Sequence, residues 1–227
     1  METHRFERVA GSLCLDFVNT VGDRAGTGRY VRNYLQRYED VVSWGLQAQI
    51  LPEREAAALR ALAQRRPADA AAAHERAVNL RETLHAIFSP IAHSAGPKEE
   101  RQPVDRDALS ALNAMLPDLL VKSRLATSTG GLACHWTYAA DVSPLSPEPS
   151  VASFDRVAWT VMQSATELLT SGDLRHVHQC AMETCGWLFL DVSKNKTRRW
   201  CAMKLCGNKT KVRQHRAMRK EGATGVS

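Results

Sequence analysis

The sequence contains no long hydrophobic run. Nowhere do about 20 apolar residues follow one another, which is the length that a membrane-spanning helix requires. The first ten residues are polar and charged, and they lack the apolar segment of a signal peptide. We therefore expect a chain that does not act at a membrane and that resides in the cytoplasm, where thiols stay reduced.

Signatures of catalysis are also missing. The sequence has no nucleophile elbow, no Walker loop and no kinase signature. Gly22, Gly26 and Gly28 make residues 21–29 a predicted loop, but this loop lacks the Lys-Ser/Thr of a phosphate-binding loop. His74 and His85 lie on a predicted helix without a partner at carboxylate–histidine metal spacing, so we expect surface or packing roles for them. We predict no enzyme activity.

The charge of the chain is distributed unevenly. The 227 residues carry a net charge of +6, and 44% of them are hydrophobic, which is typical of a globular protein with a sizeable core. Residues 194–227 contain eleven Lys or Arg and one acid, Glu221, for a net charge of +10. The other 193 residues therefore carry −4, and an acidic body with a basic end is typical of proteins whose terminus binds nucleic acid.

Most of the chain up to residue 172 shows helical periodicity. The apolar spacing predicts helices ending near Gln49, over 52–64, over 70–88, over 105–116 and over 151–171, with Pro117 ending the fourth. Asp105 is a predicted helix cap. Residues 119–126 and 132–140 flank a Gly-Gly pair and predict a β-hairpin, whereas 11–20 fit a strand or a helix equally well.

Four cysteines form two pairs with equal internal spacing. Cys180, Cys185, Cys201 and Cys206 follow the pattern C-x4-C-x15-C-x4-C. Structural zinc takes four ligands in a tetrahedron, commonly from two close pairs, so we predict one structural Zn²⁺ bound by these thiolates. His176 and His178 are nearby competitors, but four cysteines already fill the coordination sphere. Cys14 and Cys134 have no partner nearby in sequence, and we expect both to be core thiols.

Other roles for the four cysteines remain open. They could be buried core thiols, disulfides, a redox pair or ligands of an iron–sulfur cluster. Core thiols need no matched spacing, disulfides need an oxidising compartment, and redox pairs usually have two intervening residues. Zinc is favoured over iron–sulfur because the two pairs flank a predicted hairpin without further cysteines.

The segment around the cysteines predicts a small module. Residues 187–190 form a predicted strand, 193–197 a turn and 198–200 a return strand, with Trp187, Phe189 and Trp200 as the core. Asn208 is a predicted cap of a terminal helix that runs to about Lys220, with Val212 and Met218 facing inward.

Basic residues follow this module closely. Lys209, Arg213, Arg216 and Lys220 fall on one helix face, and some of the positive charge merely offsets the −2 of a zinc tetrathiolate. The predicted nucleic-acid-binding residues are Lys194, Lys196, Arg198, Arg199, Lys209, Lys211, Arg213, Arg216, Arg219 and Lys220.

The motifs also resemble a known pair of domains. The stretch CGWLFLD, followed by RRWC and CGNK, is similar to the CGNR zinc finger of bacterial proteins, and LCLDFVNT at 13–20 resembles the start of the ABATE domain that accompanies it. The resemblance implies a stress-induced transcriptional regulator whose finger binds DNA. Lys209 stands where the Arg of the signature would be, which keeps the charge but loses planar bidentate hydrogen bonding.

Together these patterns predict an α+β protein in two parts. Residues 1–172 are a mainly helical domain with a small β-hairpin element, for sensing or oligomerisation. Residues 173–220 are a four-cysteine zinc finger of hairpin-plus-helix, treble-clef-like type, and 221–227 are a disordered tail. DNA is the expected partner, with RNA or an acidic protein as the alternative; a homo-oligomer and a small-molecule signal are further expectations.

Overall fold

The computed structural model describes residues 4–24, 32–92, 103–138 except 129 and 132, and 154–213. Six α-helices and three antiparallel strand pairs are present in these ranges. Their bounds are α1 Leu13–Val18, β1 Val21–Gly22, β2 Arg32–Asn33, α2 Tyr38–Gln47, α3 Glu53–Arg65, α4 Pro67–Ile91, α5 Arg106–Val121, β3 Ser123–Thr127, β4 Cys134–Tyr138, α6 Arg156–Thr170, β5 Val177–Gln179 and β6 Leu188–Leu190. A 3₁₀ turn spans Gly172–His176, and a π-helical turn, Met203–Gly207, leads into a helix over 208–213.

The first helix lies at the centre of the molecule. Five of the six residues of α1, Cys14 to Val18, are buried, because α4 and α6 cover one side and β6 another. A helix that is apolar nearly all round is buried on all sides. This settles the choice between strand and helix that periodicity alone left open.

Helical spacing correctly identified the faces of the longer helices. In α4 the buried positions include Ala73, Ala77, Leu80 and Leu84, which recur every three or four residues. In α6 the buried positions Val157, Val161, Ala165 and Leu168 recur in the same way. Asp105 accepts the N–H of Ala108 at 2.8 Å and thus caps α5, as predicted. The predicted α+β fold class is confirmed.

The prediction that Pro117 ends a helix was wrong. The fifth helix continues through Pro117 to Val121, so 119–121 are helical rather than part of the hairpin. Proline leaves the carbonyl of the residue four positions earlier, Asn113, without an intrahelical donor. Both positions are exposed, so water can take that place. The hairpin itself is confirmed, with Leu125 opposite Trp136.

The free cysteines differ from each other. Cys14 is buried, as predicted, and burial raises the pKa of its thiol to about 11. Cys134 is exposed, so its predicted core position was wrong. It lies at the start of β4, on a two-stranded hairpin most of whose side chains face solvent.

Within the described residues, no helix is both long enough and apolar enough to cross a membrane.

Candidate metal centre and finger surface

The first cysteine pair lies in the turn between β5 and β6. These strands pair antiparallel, with Val177 opposite Leu190, and Cys180 and Cys185 lie between them. The Cys180 N–H donates to the carbonyl of Trp187 at 2.8 Å, and Gly186 has the positive φ of 65° that such a tight turn needs. The hairpin of the finger therefore surrounds the first pair.

The predicted return strand at 198–200 was wrong. These residues form no strand; instead Arg199 accepts the Ala181 N–H at 2.9 Å through its carbonyl. The predicted core of the finger is nonetheless present, because Phe189 is fully buried and Trp187 and Trp200 are half-buried.

The second pair is positioned by the start of the last helix. Cys201 precedes it and Cys206 lies in its first, π-helical turn, where the Cys206 N–H donates to the Ala202 carbonyl at 3.0 Å. Asn208 has helical dihedrals, so the helix begins before it and the predicted Asn208 cap was wrong. Val212 is 49% exposed, which also corrects its predicted inward orientation; Met218 lies outside the described residues.

The four sulfur atoms have the geometry of a tetrahedral zinc site. All four Sγ atoms lie within 4.8 Å of one another, with 3.8 Å between Cys185 and Cys201 and 3.4 Å between Cys201 and Cys206. Zn–S bonds of about 2.3 Å place tetrahedral sulfurs about 3.8 Å apart. All four cysteines are buried, and neither His176 nor His178 belongs to the cluster.

A cation is needed to stabilise the negative charges of the four sulfur atoms. Hydrogen bonds from Cys185, Cys201 and Cys206 hold the pKa of Cys180 far below its ordinary value, whereas contacts with the other three thiols raise the pKa of Cys201. Four thiolates this close repel one another unless a dication lies between them, and Zn²⁺ deprotonates a coordinating thiol. The cluster is thus a site for one structural zinc ion, as predicted.

The loop before the second pair is folded around a buried carboxylate. Asp191 accepts the N–H groups of Ser193 and Arg198, each at 2.9 Å. Burial alone would raise the pKa of Asp191, but these hydrogen bonds hold it below its ordinary value. Lys196 has a positive φ of 50° and donates its ammonium to the Asp191 carbonyl at 2.6 Å, while the Lys194 side chain points to solvent.

Arg198 differs from the other basic residues of the finger. Its guanidinium lies 4.3 Å from the centre of the Phe189 ring and donates to the carbonyls of Val9, Trp200 and Cys201. It links the finger to the N-terminal segment. This role could not be predicted from the sequence, because nothing in the local pattern distinguishes Arg198 from the other Lys and Arg of the segment.

Apart from Arg198, the basic side chains of residues 194–213 are exposed. This group comprises Lys194, Lys196, Arg199, Lys209, Lys211 and Arg213, together with Lys204, which the sequence reading did not include. The predicted Arg216, Arg219 and Lys220 lie outside the described residues.

The finger docks directly on the helical domain. Both backbone groups of Leu188 bond to the side chain of Asn19, the Leu190 N–H donates to the Ala10 carbonyl at 2.7 Å, and the Trp187 indole donates to the Val21 carbonyl at 2.8 Å. The cysteines belong to the same hydrophobic cluster as α1 and α6. Asn19 was not singled out from the sequence, although it lies within the LCLDFVNT stretch.

Two family models match this arrangement. The ABATE model, described as "Putative stress-induced transcription regulator", matches residues 11–172. The chain belongs to the ABATE family. A model of the CGNR zinc finger matches residues 176–219 and thus includes all four cysteines of this ABATE protein. A comparison with curated proteins finds no match.

Proposed function

We propose that this ABATE protein is a cytoplasmic, zinc-dependent transcriptional regulator whose finger binds DNA. The observation that carries the proposal is that many cations of the helical domain pair with a carboxylate, whereas the described cations of the finger do not. Arg24 binds Glu82 at 2.9 Å, Arg60 binds Glu39 at 2.6 Å, and Arg76 binds Asp155 at 2.8 Å. Among the described residues, no Lys or Arg of the finger has a carboxylate partner.

Unpaired cations at this density favour a polyanion. Seven exposed Lys or Arg lie within residues 194–213, on the loop around Asp191, on the π-helical turn before Cys206 and on the helix after it. Their mutual repulsion destabilises the finger unless counterions or phosphates neutralise it. Binding that releases condensed counterions from DNA supplies that neutralisation and is steeply salt-dependent.

The helix after Cys206 is the element we place against the DNA. Lys209 and Arg213 are four residues apart and therefore share one face, and Lys211 is exposed beside them. The zinc site fixes the start of this helix through Cys206. A helix that projects from a rigid metal site can enter a DNA groove or follow its backbone.

We also propose that the zinc is structural and that the protein has no catalytic role. Catalytic zinc keeps an open coordination position for water or substrate. Here four buried sulfurs account for all four positions of a tetrahedral ion.

DNA selection from a random pool with the zinc-loaded, full-length protein tests the proposal. We expect one DNA sequence to be enriched. In anisotropy titrations, the logarithm of the binding constant should fall by about 0.9 for each phosphate contact when the salt concentration rises tenfold. If no DNA sequence is enriched and the protein instead binds RNA or an acidic protein, promoter recognition is refuted. The finger would then be a module for binding RNA or protein.

Charge-reversal substitutions test which surface of the finger binds DNA. The double substitution Lys209→Glu with Arg213→Glu should reduce DNA affinity at least about a hundredfold, since several phosphate contacts become repulsive. The matched control reverses two exposed arginines of the helical domain, Arg54→Glu with Arg106→Glu, and should keep the affinity within about threefold. Equal losses in both double variants would place the DNA surface elsewhere.

A further inference from the structure

A cavity of about 140 Å³ opens between α4, α5 and the start of α6, away from the zinc site. Its walls include Leu80, Met115, Trp159 and Met162, so they are mainly apolar. Water in an apolar cavity finds few hydrogen-bond partners, and an apolar cavity of about 150 Å³ is large enough for benzene. The size therefore corresponds to a compound with a single ring.

The walls are suited to an aromatic ring. The Trp159 indole is held in place because its Nε1 donates to the Ser123 hydroxyl at 3.1 Å and its ring packs edge-on against Tyr138. Met115 and Met162 place polarisable thioethers in the same cavity, and sulfur contacts aromatic rings favourably. Flexible methionine side chains also adapt their rotamers to an entering ring.

Two cations and a carboxylate form a cluster at the rim of the cavity. Arg76 donates twice to Asp155, at 2.8 and 2.9 Å, and Lys122 donates to the other carboxylate oxygen at 2.8 Å. Two cations thus share one carboxylate, which leaves a net charge of +1 on the three side chains. Asp118, also on the rim, brings the sum over the four charged side chains to zero, but it is exposed and water screens its charge.

Both cations keep donors for a second anion. Asp155 uses the Nε and Nη2 of Arg76, so Nη1 of the guanidinium has no partner among the residues that the structure describes. An ammonium has three donors, and Lys122 spends one on Asp155. A ligand carboxylate at this rim would be bound by charge-assisted hydrogen bonds while its ring fills the apolar part.

We propose that this cavity binds a small aromatic carboxylate with a single ring. The proposal is independent of DNA binding. Benzoate is the probe; benzyl alcohol and benzylamine are the neutral and cationic probes of similar size.

Methionine-methyl NMR of the zinc-loaded, full-length protein tests the site. Benzoate should shift the methyl signals of Met115 and Met162 and leave that of Met203, on the finger, in place. Benzylamine should bind at least about tenfold more weakly than benzoate, because the N–H donors that Arg76 and Lys122 have left bind an anion and repel a cation. No shift of Met115 and Met162 at about 10 mM benzoate, or equal affinity for benzylamine, would overturn the proposal.

Two variants separate the ring site from the carboxylate site. Ala158→Leu fills the cavity and should weaken benzoate at least about tenfold, whereas Ala63→Leu, at a similarly half-buried position of α3, should not. Lys122→Gln should weaken benzoate about tenfold and leave benzyl alcohol unchanged. Equal effects of Lys122→Gln on benzoate and benzyl alcohol would contradict recognition of the carboxylate.

Discussion

The side chain of Asn19 satisfies both backbone groups of Leu188. Its amide donates to the Leu188 carbonyl at 2.8 Å and accepts the Leu188 N–H at 2.9 Å, and both residues are buried. Asn19 follows α1 of the helical domain, whereas Leu188 begins β6 of the finger. One amide thus takes the place of a strand neighbour, and it fixes the finger to the body.

Asn19→Ala should lower the free energy of unfolding by about 2–6 kcal/mol. The substitution leaves a buried N–H and a buried C=O without partners, and each costs about 1–3 kcal/mol. Denaturant unfolding monitored by tryptophan fluorescence measures the change. Asn113→Ala, at an exposed position of α5, is the matched control and should change stability by less than about 0.5 kcal/mol. Similar values for the two variants would contradict the role of Asn19.

Gly11→Ala should be more destabilising than other glycine substitutions at positive φ. Gly11 has φ +74°, and a Cβ there would lie 2.9 Å from the Leu190 carbonyl oxygen, so β6 would have to move away. Gly130 has φ +94° but open space around it, so Gly130→Ala measures the cost of the dihedral alone, about 1 kcal/mol. We expect Gly11→Ala to exceed that control by about 1–3 kcal/mol in denaturant unfolding. Equal losses of stability in Gly11→Ala and Gly130→Ala would show that β6 of the finger does not lie this close to Gly11.

Cys185→Ser should release the zinc ion and destabilise the helical domain as well. The binding free energy of a structural zinc is folding free energy, and here the cysteines share one hydrophobic cluster with α1 and α6. Metal content by elemental analysis and the unfolding midpoint of the whole chain are the measurements. Cys134→Ser removes an exposed thiol outside the cluster and should retain one equivalent of zinc. Retention of one equivalent by Cys185→Ser would refute the ligand assignment.

His85 should make the fold less stable in mild acid. Burial, together with the charge of Arg24, lowers the pKa of His85 from 6.5 to about 4 in the folded protein. Between these values the unfolded chain binds the proton more tightly, so stability falls as the pH drops from about 6.5 to 4, by at most about 1.4 kcal/mol per pH unit. Unfolding measured across this range should show a shallower acid loss for His85→Gln than for the exposed control His135→Gln. Parallel pH profiles would disprove the prediction.

The titration of Asp16 should make the fold more stable, not less, as the pH falls. Burial raises the pKa of Asp16 from 3.8 to about 6, although it accepts the Ala10 N–H at 2.8 Å. The folded protein therefore holds this proton more tightly, and the contribution of Asp16 to stability decreases as the pH rises from about 4 to 6. Asp16→Asn keeps an acceptor for Ala10 and should remove that part of the pH profile, relative to the wild type. If the wild type and Asp16→Asn differ in unfolding free energy by the same amount at pH 4 and at pH 7, the prediction for Asp16 is wrong.

Local patterns predicted local structure well. The apolar spacing of α4 and α6 is set by the 3.6-residue turn, and the paired cysteines follow from the ligand number of zinc, so both were readable in the sequence. Pro117 shows the limit of such rules, since α5 continues to Val121 although proline removes one hydrogen bond of the helix at an exposed position. The prediction that residues 198–200 pair with β6 was wrong. Val177–Gln179, the actual partner, also lies near β6 in sequence, so sequence distance could not distinguish the two.

The sequence by itself determined most of the longer helices, the four zinc ligands and the excess of positive charge from residue 194 onward. Only the tertiary structure decided that Arg198 faces inward, that Asn19 joins the finger to α1, and that Arg76, Lys122 and Asp155 meet at the rim of one cavity. The physical reason is distance along the chain. Periodicity and ligand spacing act over a few residues, whereas these contacts join residues from 33 to 189 positions apart, and they form only when separate elements pack together.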